Sequence, residues 1–402
     1  MKILISAGEA SSDLYGAQLI VALRRRARSE DEPLDFVGVG GDSMRAAGCE
    51  IVVEARHLAV VGMTEIIGRL PKIYSEFRKL LRAVDAMEVK PAAAVVIDSP
   101  AFNFRVAREM HRRGIPVIYF VAPQLWAWRE YRVKRIQKWV KKVLCIFPFE
   151  EEFYRKYGVD VEYVGHPLAD LAEPAISRAE YARENGLDPK ATWIALLPGS
   201  RKREVFSNLK TMLESAVLLG REVTSKVEFL IPVAANLEAS WMRMRIAEVE
   251  MSTREPDLEL FTIVPVSSAR PALYHSGAAV IASGTATVEA ALMGCPFVAV
   301  YRLSTLTFWA AKRLVKVSHA AMPNLIAGRE IVPELLQNDF TAERVAAELK
   351  SLLEDHSKRE HMIAGFAEVR SKLGTQPGAR RGTAIERAAD AILRCLPSSG
   401  AR

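Results

Sequence analysis

Short apolar runs alternate with stretches whose apolar residues recur every three to four positions, and the alternation continues along most of the 402 residues. Runs bounded by turn residues and apolar at every position read as strands buried on both faces. Separated by helical patterns, they predict α/β units with parallel sheets. In the first half the strands read Ile3–Ala7, Phe36–Gly38, Ala93–Ile97, Val117–Val121, Val143–Ile146 and Val161–Val164, with helical patterns over Asp13–Arg26, Pro71–Val84 and Phe104–Arg113. The pattern pauses over His166–Pro174 and restarts with Trp193–Leu197, Val227–Ile231, Leu260–Val264, Ala278–Ala282 and Phe297–Val300. This predicts two Rossmann-like domains facing a cleft: residues 1–167, then 168–190 as linker and start of the second domain, then 191–375. Residues 376–402 form a C-terminal helix and tail, and the helix from Thr383 to Cys395 can dock back on the first domain.

Composition narrows the class. Half the residues are hydrophobic and 26% are charged, as in soluble globular chains. No run reaches the ~18–20 apolar residues that span a membrane. The start, Met1–Gly8, reads as a buried strand rather than a signal peptide, because acidic residues and a helix follow at once. Cys49, Cys145, Cys295 and Cys395 are scattered, without a C-x-x-C pair or a histidine at ligand spacing, which fits reduced thiols in the cytoplasm. A net charge of +7 points to an anionic partner.

In doubly wound sheets ligands sit beyond the carboxyl ends of the strands, so the loops there carry the chemistry. Ser283-Gly284-Thr285-Ala286-Thr287-Val288-Glu289 joins an apolar run to a helix. Its small residues admit a ligand, and the new helix offers unpaired N–H groups and a positive dipole end, a seat for phosphate. Glu289 would repel that phosphate unless it points sideways at a ribose hydroxyl; the competing reading is a capped helix with an acidic first turn. Leu197–Glu204 is a second such junction, where Gly199 and Ser200 permit close approach and Arg201 can clamp a phosphate, while Arg203 faces solvent or pairs with Glu204. Neither half carries G-x-G-x-x-G with its distal acid, which argues against a dinucleotide cofactor.

In the first half, Gly8–Asp13 makes a polar loop in which Ser11, Ser12 and Asp13 either meet a ligand or cap the following helix. Asp98 ends a buried strand where a sheet opens. Partial burial there would raise its pKa and suit it to general-base work, with Asn103 orienting the same ligand. The alternative for Asp98 is capping of the helix that starts near Ala101. His166, in Gly165-His166-Pro167, reads as structural. Between His57 and Leu81 a broad apolar set, Val60, Val61, Met63, Ile66, Ile67, Leu70, Ile73, Tyr74 and Phe77, is flanked by Arg69, Lys72, Arg78, Lys79 and Arg82. It fits an interfacial segment or acyl-chain groove, or ordinary core helices. Gln124, Trp126 and Arg129 precede Arg132, Lys134, Arg135, Lys138, Lys141 and Lys142. That region suits a phosphorylated amphiphile or a headgroup surface, and equally a solvated face or a nucleic-acid patch.

Together, Gly8–Asp13, Gly38–Gly41, Asp98–Asn103, Pro123–Arg129, Gly165–Pro167, Leu197–Arg201, Ser283–Glu289 and Met322–Leu325 resemble the lipid-A-disaccharide synthase family, inverting glycosyltransferases of the GT-B class. The motifs run in order from about residue 3 to 330. One departure is Ser12, where the family's Gly-Glu-x-Ser-Gly-Asp loop has glycine. The resemblance implies UDP-2,3-diacylglucosamine as donor, 2,3-diacylglucosamine 1-phosphate as acceptor, and a β-1,6 disaccharide 1-phosphate with UDP as products. It implies no metal or other cofactor, no nucleic-acid partner, and a peripheral place on the cytoplasmic face of the inner membrane. Asp98 would be the base, and Arg201 with Ser283, Gly284, Thr285, Ala286 and Thr287 would meet the leaving phosphate. Glu289 would hold the ribose, and Asn324, which matches a donor-site position, would bond phosphate or sugar. Competing readings are another GT-B enzyme, such as the lipid II-forming transferase or UDP-N-acetylglucosamine 2-epimerase, and a non-catalytic nucleotide-responsive protein at a membrane surface.

Overall fold

The computed structural model describes residues 1–27, 33–58, 63–234, 236–253, 262–302, 318–374 and 382–397, with the backbone alone at residues 10, 63–70 and 253. The chain divides into two compact units, Met1–Asp170 with Leu373–Arg402, and Leu171–Lys372.

The first unit is a seven-stranded parallel sheet of β1 (Lys2–Ala7), β2 (Asp35–Gly40), β3 (Cys49–Glu54), β4 (Ala93–Ile97), β5 (Val117–Phe120), β6 (Lys142–Cys145) and β7 (Val161–Tyr163), in the order β3-β2-β1-β4-β5-β6-β7. Every residue of β4 is buried, as a central strand covered on both faces requires. Crossover helices include α1 (Ala10–Arg26), α2 (Asp42–Ala46), α3 (Met63–Asp85), α4 (Pro100–Arg112), α5 (Leu125–Trp128), α6 (Val133–Trp139) and α7 (Pro148–Lys156). Helix α3 runs through Pro71 and starts eight residues before it, so the helical pattern expected from Pro71 was too short. A proline inside a helix removes one backbone donor, and the bonds on either side carry the helix past it.

The C-terminal helix Ala384–Cys395 packs within this first unit, against α1. Arg26 reaches Asp390 at 2.7 Å, and the buried Arg387 donates through Nε to the Val164 carbonyl at 2.8 Å. Gly165 has φ +83°, and a Cβ there would run into the Arg387 guanidinium.

The second unit opens with α8 (Arg178–Asn185), capped reciprocally by Ser177 and Glu180. Its six parallel strands are β8 (Thr192–Leu197), β9 (Val227–Pro232), β10 (Thr262–Val266), β11 (Ala278–Ala282), β12 (Phe297–Tyr301) and β13 (Glu334–Leu336), in the order β10-β9-β8-β11-β12-β13. Helices α9 (Lys202–Glu222), α10 (Ala239–Thr253), α11 (Ala269–His275) and α12 (Thr285–Leu292) connect them. Arg178 stacks on Trp193 of β8 at 3.7 Å, which ties residues just beyond the unit boundary to this sheet.

Each sheet reverses its winding once, between β1 and β4 in the first unit and between β8 and β11 in the second. At such a switch point the loops leaving the two strands diverge and open a crevice. The diverging loops are Gly8–Glu9 and Asp98–Ser99 in one unit, and Pro198–Arg201 and Ser283–Gly284 in the other.

Candidate active site

The first unit's switch point is backbone under strain. Asp98 has φ 48° and Ser99 φ 44°, and Val121, at the end of the neighbouring strand, has φ 56°. None is glycine, and such conformations cost about 1–3 kcal/mol each unless their surroundings enforce them. The enforcing contacts converge on Asp98. Its N–H donates to the Phe120 carbonyl at 3.2 Å. Its carbonyl accepts from Asn103 Nδ2 and from the Tyr119 hydroxyl, both at 2.8 Å. The Asp98 residue itself is half-buried.

Asn103 is fully buried and its amide is spent. Nδ2 donates to the carbonyls of Ser6, Ile97 and Asp98, and Oδ1 accepts from the Ser6 hydroxyl at 2.7 Å. The expectation that Asn103 orients the ligand is therefore corrected: it orients Asp98. Asp13 is corrected likewise. Its carboxylate accepts from the N–H groups of Gly41 (2.6 Å), Ser43 (3.0 Å) and Met44 (3.3 Å), so it caps α2. Ser12 is buried, its hydroxyl without a hydrogen-bond partner, whereas Ser11 is exposed.

The loop after β5 carries Gln124, exposed, and Trp126, half-buried. Trp126 turns inward: its indole N–H donates to Glu150 Oε1 at 3.1 Å, and its ring meets Phe149 edge-on at 4.8 Å. The exposed aromatics are instead Trp128, with Arg129 stacked on it at 3.7 Å, and Tyr131. Glu150, which sequence reasoning missed, is 1% exposed and also accepts from the N–H groups of Ile146 (3.3 Å) and Phe147 (3.2 Å). Burial pushes its carboxyl up to about 7, the Asp98 charge adds to the rise, and the three donors oppose it. An acid three residues after a strand-to-helix junction signals a cap; nothing in the sequence shows that the Trp126 indole would donate to it. His166 is buried against the Phe147 ring, its Nδ1 accepts from the Leu168 N–H, and burial lowers its pKa to about 3.

Of the apolar set, Phe77 is corrected to core: it is buried and meets Phe102 edge-on at 5.9 Å. Ile73 packs half-buried on the same cluster, while Tyr74 is 57% exposed. Val60 and Val61 lie outside the described residues, and the side chains of Met63, Ile66, Ile67 and Leu70 are likewise outside them.

In the second unit Gly284 precedes α12 with no side-chain cap. A Cβ on Gly284 would meet nothing within 4 Å, so space lies open above the turn. Thr287 turns back, its N–H and hydroxyl both bonding the Gly284 carbonyl. Thr285 and Ala286 are left without a backbone or capping acceptor among the described residues. The Ser283 hydroxyl donates to the Ala320 carbonyl at 2.7 Å. Glu289 is half-buried and raised by burial, with Arg270 lowering it; no described residue hydrogen-bonds its carboxylate.

Arg201 is 63% exposed at its side chain and lies 3.4 Å from Glu204, which also accepts from the N–H groups of Ser200 and Arg201. Thus Arg203 faces solvent, and the closeness allowed by Gly199 is taken up by Glu204. Asn324 is corrected from ligand contact to scaffold. It is fully buried, donates to the Val332 carbonyl and Glu334, and accepts from the N–H groups of Ile331 and Val332. Glu334 in turn accepts from the N–H groups of Ala320 and Ala321, which holds the partner of Ser283 in place. Among the described residues, no group of three or more His, Cys, Asp and Glu could hold a metal ion, and no helix is long and apolar enough to cross a membrane.

The family model described as lipid-A-disaccharide synthetase matches residues 3–388. The lipid-A-disaccharide synthase of Koribacter versatilis is 48% identical over 98% of both chains. That of Myxococcus xanthus is 39% identical over 98% of both. Among solved structures, UDP-GlcNAc 2-epimerase from Neisseria meningitidis bound to UDP-GlcNAc aligns with TM-score 0.65 at 13% identity, covering 98% of this chain and 100% of that one. The calicheamicin glycosyltransferase aligns with TM-score 0.57 at 16% identity, covering 100% and 99%. At such identities the likeness shows the fold, that of GT-B glycosyltransferases and epimerases, and the full-length relatives decide between them. The chain belongs to the lipid-A-disaccharide synthase family, and is a glycosyltransferase with UDP-sugar and lipid acceptor substrates.

Proposed function

We propose that the chain transfers 2,3-diacylglucosamine from UDP-2,3-diacylglucosamine to the 6-hydroxyl of 2,3-diacylglucosamine 1-phosphate, with inversion at the anomeric carbon. Asp98 is the general base. As the acceptor oxygen bonds the anomeric carbon, its proton passes to the Asp98 carboxylate, and the bond to UDP breaks with its electron pair on the β-phosphate. Positioned proton transfer of this kind contributes about 10²–10⁴ in rate. The charge that gathers on UDP meets the N–H groups at Thr285 and Ala286, the α12 dipole and the Arg201 guanidinium. Glu289, whose carboxylate no described residue hydrogen-bonds, takes the ribose hydroxyls.

The observation that carries this reading is the seat of Asp98: a strained strand end, held by three hydrogen bonds, at the switch point of its sheet. The exposed Trp128 and Tyr131 beside the basic face of α6 suit a protein that works at the cytoplasmic surface of the inner membrane. Asp98→Asn tests the base directly. Transfer falls by about 10²–10⁴, while UDP binding by calorimetry stays within a few-fold of wild type. Product formation by Asp98→Asn at the wild-type rate rejects the assignment.

A further inference from the structure

Helices α9 and α10 pack together, and each buries one stripe: Val205 and Leu209 on α9, Met242, Ile246 and Val249 on α10. Phe206 lies off that stripe, in the second turn of α9, and is 55% exposed. Its ring meets Trp241, at the start of α10, edge-on at 5.8 Å. Met244, one turn on from Trp241, is 50% exposed. Single exposed apolar side chains are ordinary, whereas three large ones together mark a contact surface. Cations border it. Arg245 lies over the Phe206 ring at 4.1 Å and pairs with Glu248, and Lys202 lies over Trp241 at 5.3 Å. Lys202, Arg203 and Arg243 are exposed.

This surface is continuous with the loop that carries Arg201. Phe206 follows Arg201 by five residues, a rise of about 7–8 Å along a helix. Asn236, just before α10, donates to the Ser200 carbonyl at 2.9 Å and so ties the start of α10 to the same loop. A molecule that matches this arrangement is an amphiphile, anionic beside Arg201 and Lys202 and apolar beside Phe206, Trp241 and Met244. Resting on the donor assigned above, we propose that Phe206, Trp241 and Met244 seat an acyl chain of UDP-2,3-diacylglucosamine. A cation over an exposed ring is a weak tie, so the chain displaces Arg245 and Lys202 from the rings at small cost. Both keep their charged heads in water on flexible stems. Selection of the acylated donor over a bare UDP-sugar then rests on these three side chains.

The test is donor kinetics in detergent micelles, with no bilayer present. Phe206→Gln and Trp241→Gln should each raise KM for UDP-2,3-diacylglucosamine about ten-fold, with kcat close to wild type. Competition by UDP and by UDP-N-acetylglucosamine, which lack the long chains, should keep its wild-type strength. Phe206→Leu, still apolar, should recover most of the loss. Thermal unfolding checks the fold, and Met244→Gln, on an exposed side chain, reads the same shift should the aromatic variants fail to fold. A donor KM that stays at the wild-type value overturns the proposal. An equal weakening of UDP overturns it as well, and makes the aromatic pair a brace for the Arg201 loop. Wild-type KM in micelles with weaker sedimentation on anionic vesicles makes the patch a bilayer contact and likewise overturns it. Wild-type protein that forms no disaccharide from the two acylated substrates rejects the proposed function itself; active wild type with an unmoved donor KM in the variants rejects only this seat.

Discussion

Asn103 spends its whole amide on the backbone around Asp98, so its contribution to turnover passes through the position of another residue. Asn103→Leu removes one donor from the carbonyls of Ser6, Ile97 and Asp98, the last of which keeps the Tyr119 hydroxyl, and takes the acceptor from the Ser6 hydroxyl, at about 1–3 kcal/mol for each group that stays unpaired. Such a variant should unfold earlier by thermal denaturation and lose more in kcat than in UDP affinity; an unchanged kcat contradicts the role. A second pair of residues sets a pH dependence. The pKa of His166 falls from 6.5 to about 3 on folding, so its contribution to stability is full above 6.5 and is lost as pH falls toward 3. That of Glu150 rises from 4.5 to about 7, so its contribution is full below 4.5 and is lost as pH rises toward 7. Between pH 4.5 and 6.5 the two slopes oppose each other. Urea denaturation across that window should show Glu150→Gln gaining stability with pH relative to wild type and His166→Gln losing it. Parallel curves contradict both assignments. The places of Asp98 and Arg201 just beyond strand ends were legible in the sequence, because each follows an apolar run. Asn103, Asp13 and Asn324 were legible as polar residues in the right loops, but whether such a side chain faces a ligand or its own backbone depends on partners distant in sequence.

The switch points hold these residues because helices and strands meet there at fixed angles. Most strands were legible as apolar runs, and β4 and β11 lie where the pattern places them. The edge strands β3 and β13 were missed: each carries glutamate, and an edge strand buries less than a central one. The return of the C-terminal helix to the first sheet rests on Arg387, whose guanidinium occupies the space that a side chain at position 165 would need. Gly165→Ala adds a Cβ at positive φ and displaces Arg387, costing about 1–3 kcal/mol. Hydrogen exchange should report faster opening of Ala384–Cys395 in that variant, with the strands of the second unit unchanged. Protection equal to wild type in that helix rules this anchor out.

At the scale of the molecule, the net charge of +7 is partly displayed as a face: Lys134, Arg135, Lys138 and Lys141 are exposed beside Trp128 and Tyr131. Each lysine near an anionic bilayer contributes about 1 kcal/mol, attenuated by salt over a Debye length of about 10 Å at 0.1 M. Lys134→Glu with Lys138→Glu should therefore weaken sedimentation with phosphatidylglycerol vesicles at least ten-fold and leave UDP affinity alone. Equal sedimentation at low and high salt contradicts an electrostatic surface. Membership of the family was legible from motifs spread over most of the chain, whereas the strain at Asp98 emerges only once the strands are side by side. The central claim is the transfer itself, and one assay addresses it. Purified protein is given UDP-2,3-diacylglucosamine and 2,3-diacylglucosamine 1-phosphate, with UDP counted and the product linkage read by NMR. The account predicts UDP and a β-1,6-linked disaccharide 1-phosphate in equal amounts, both dependent on Asp98; UDP release without disaccharide, or an α-linked product, would contradict it.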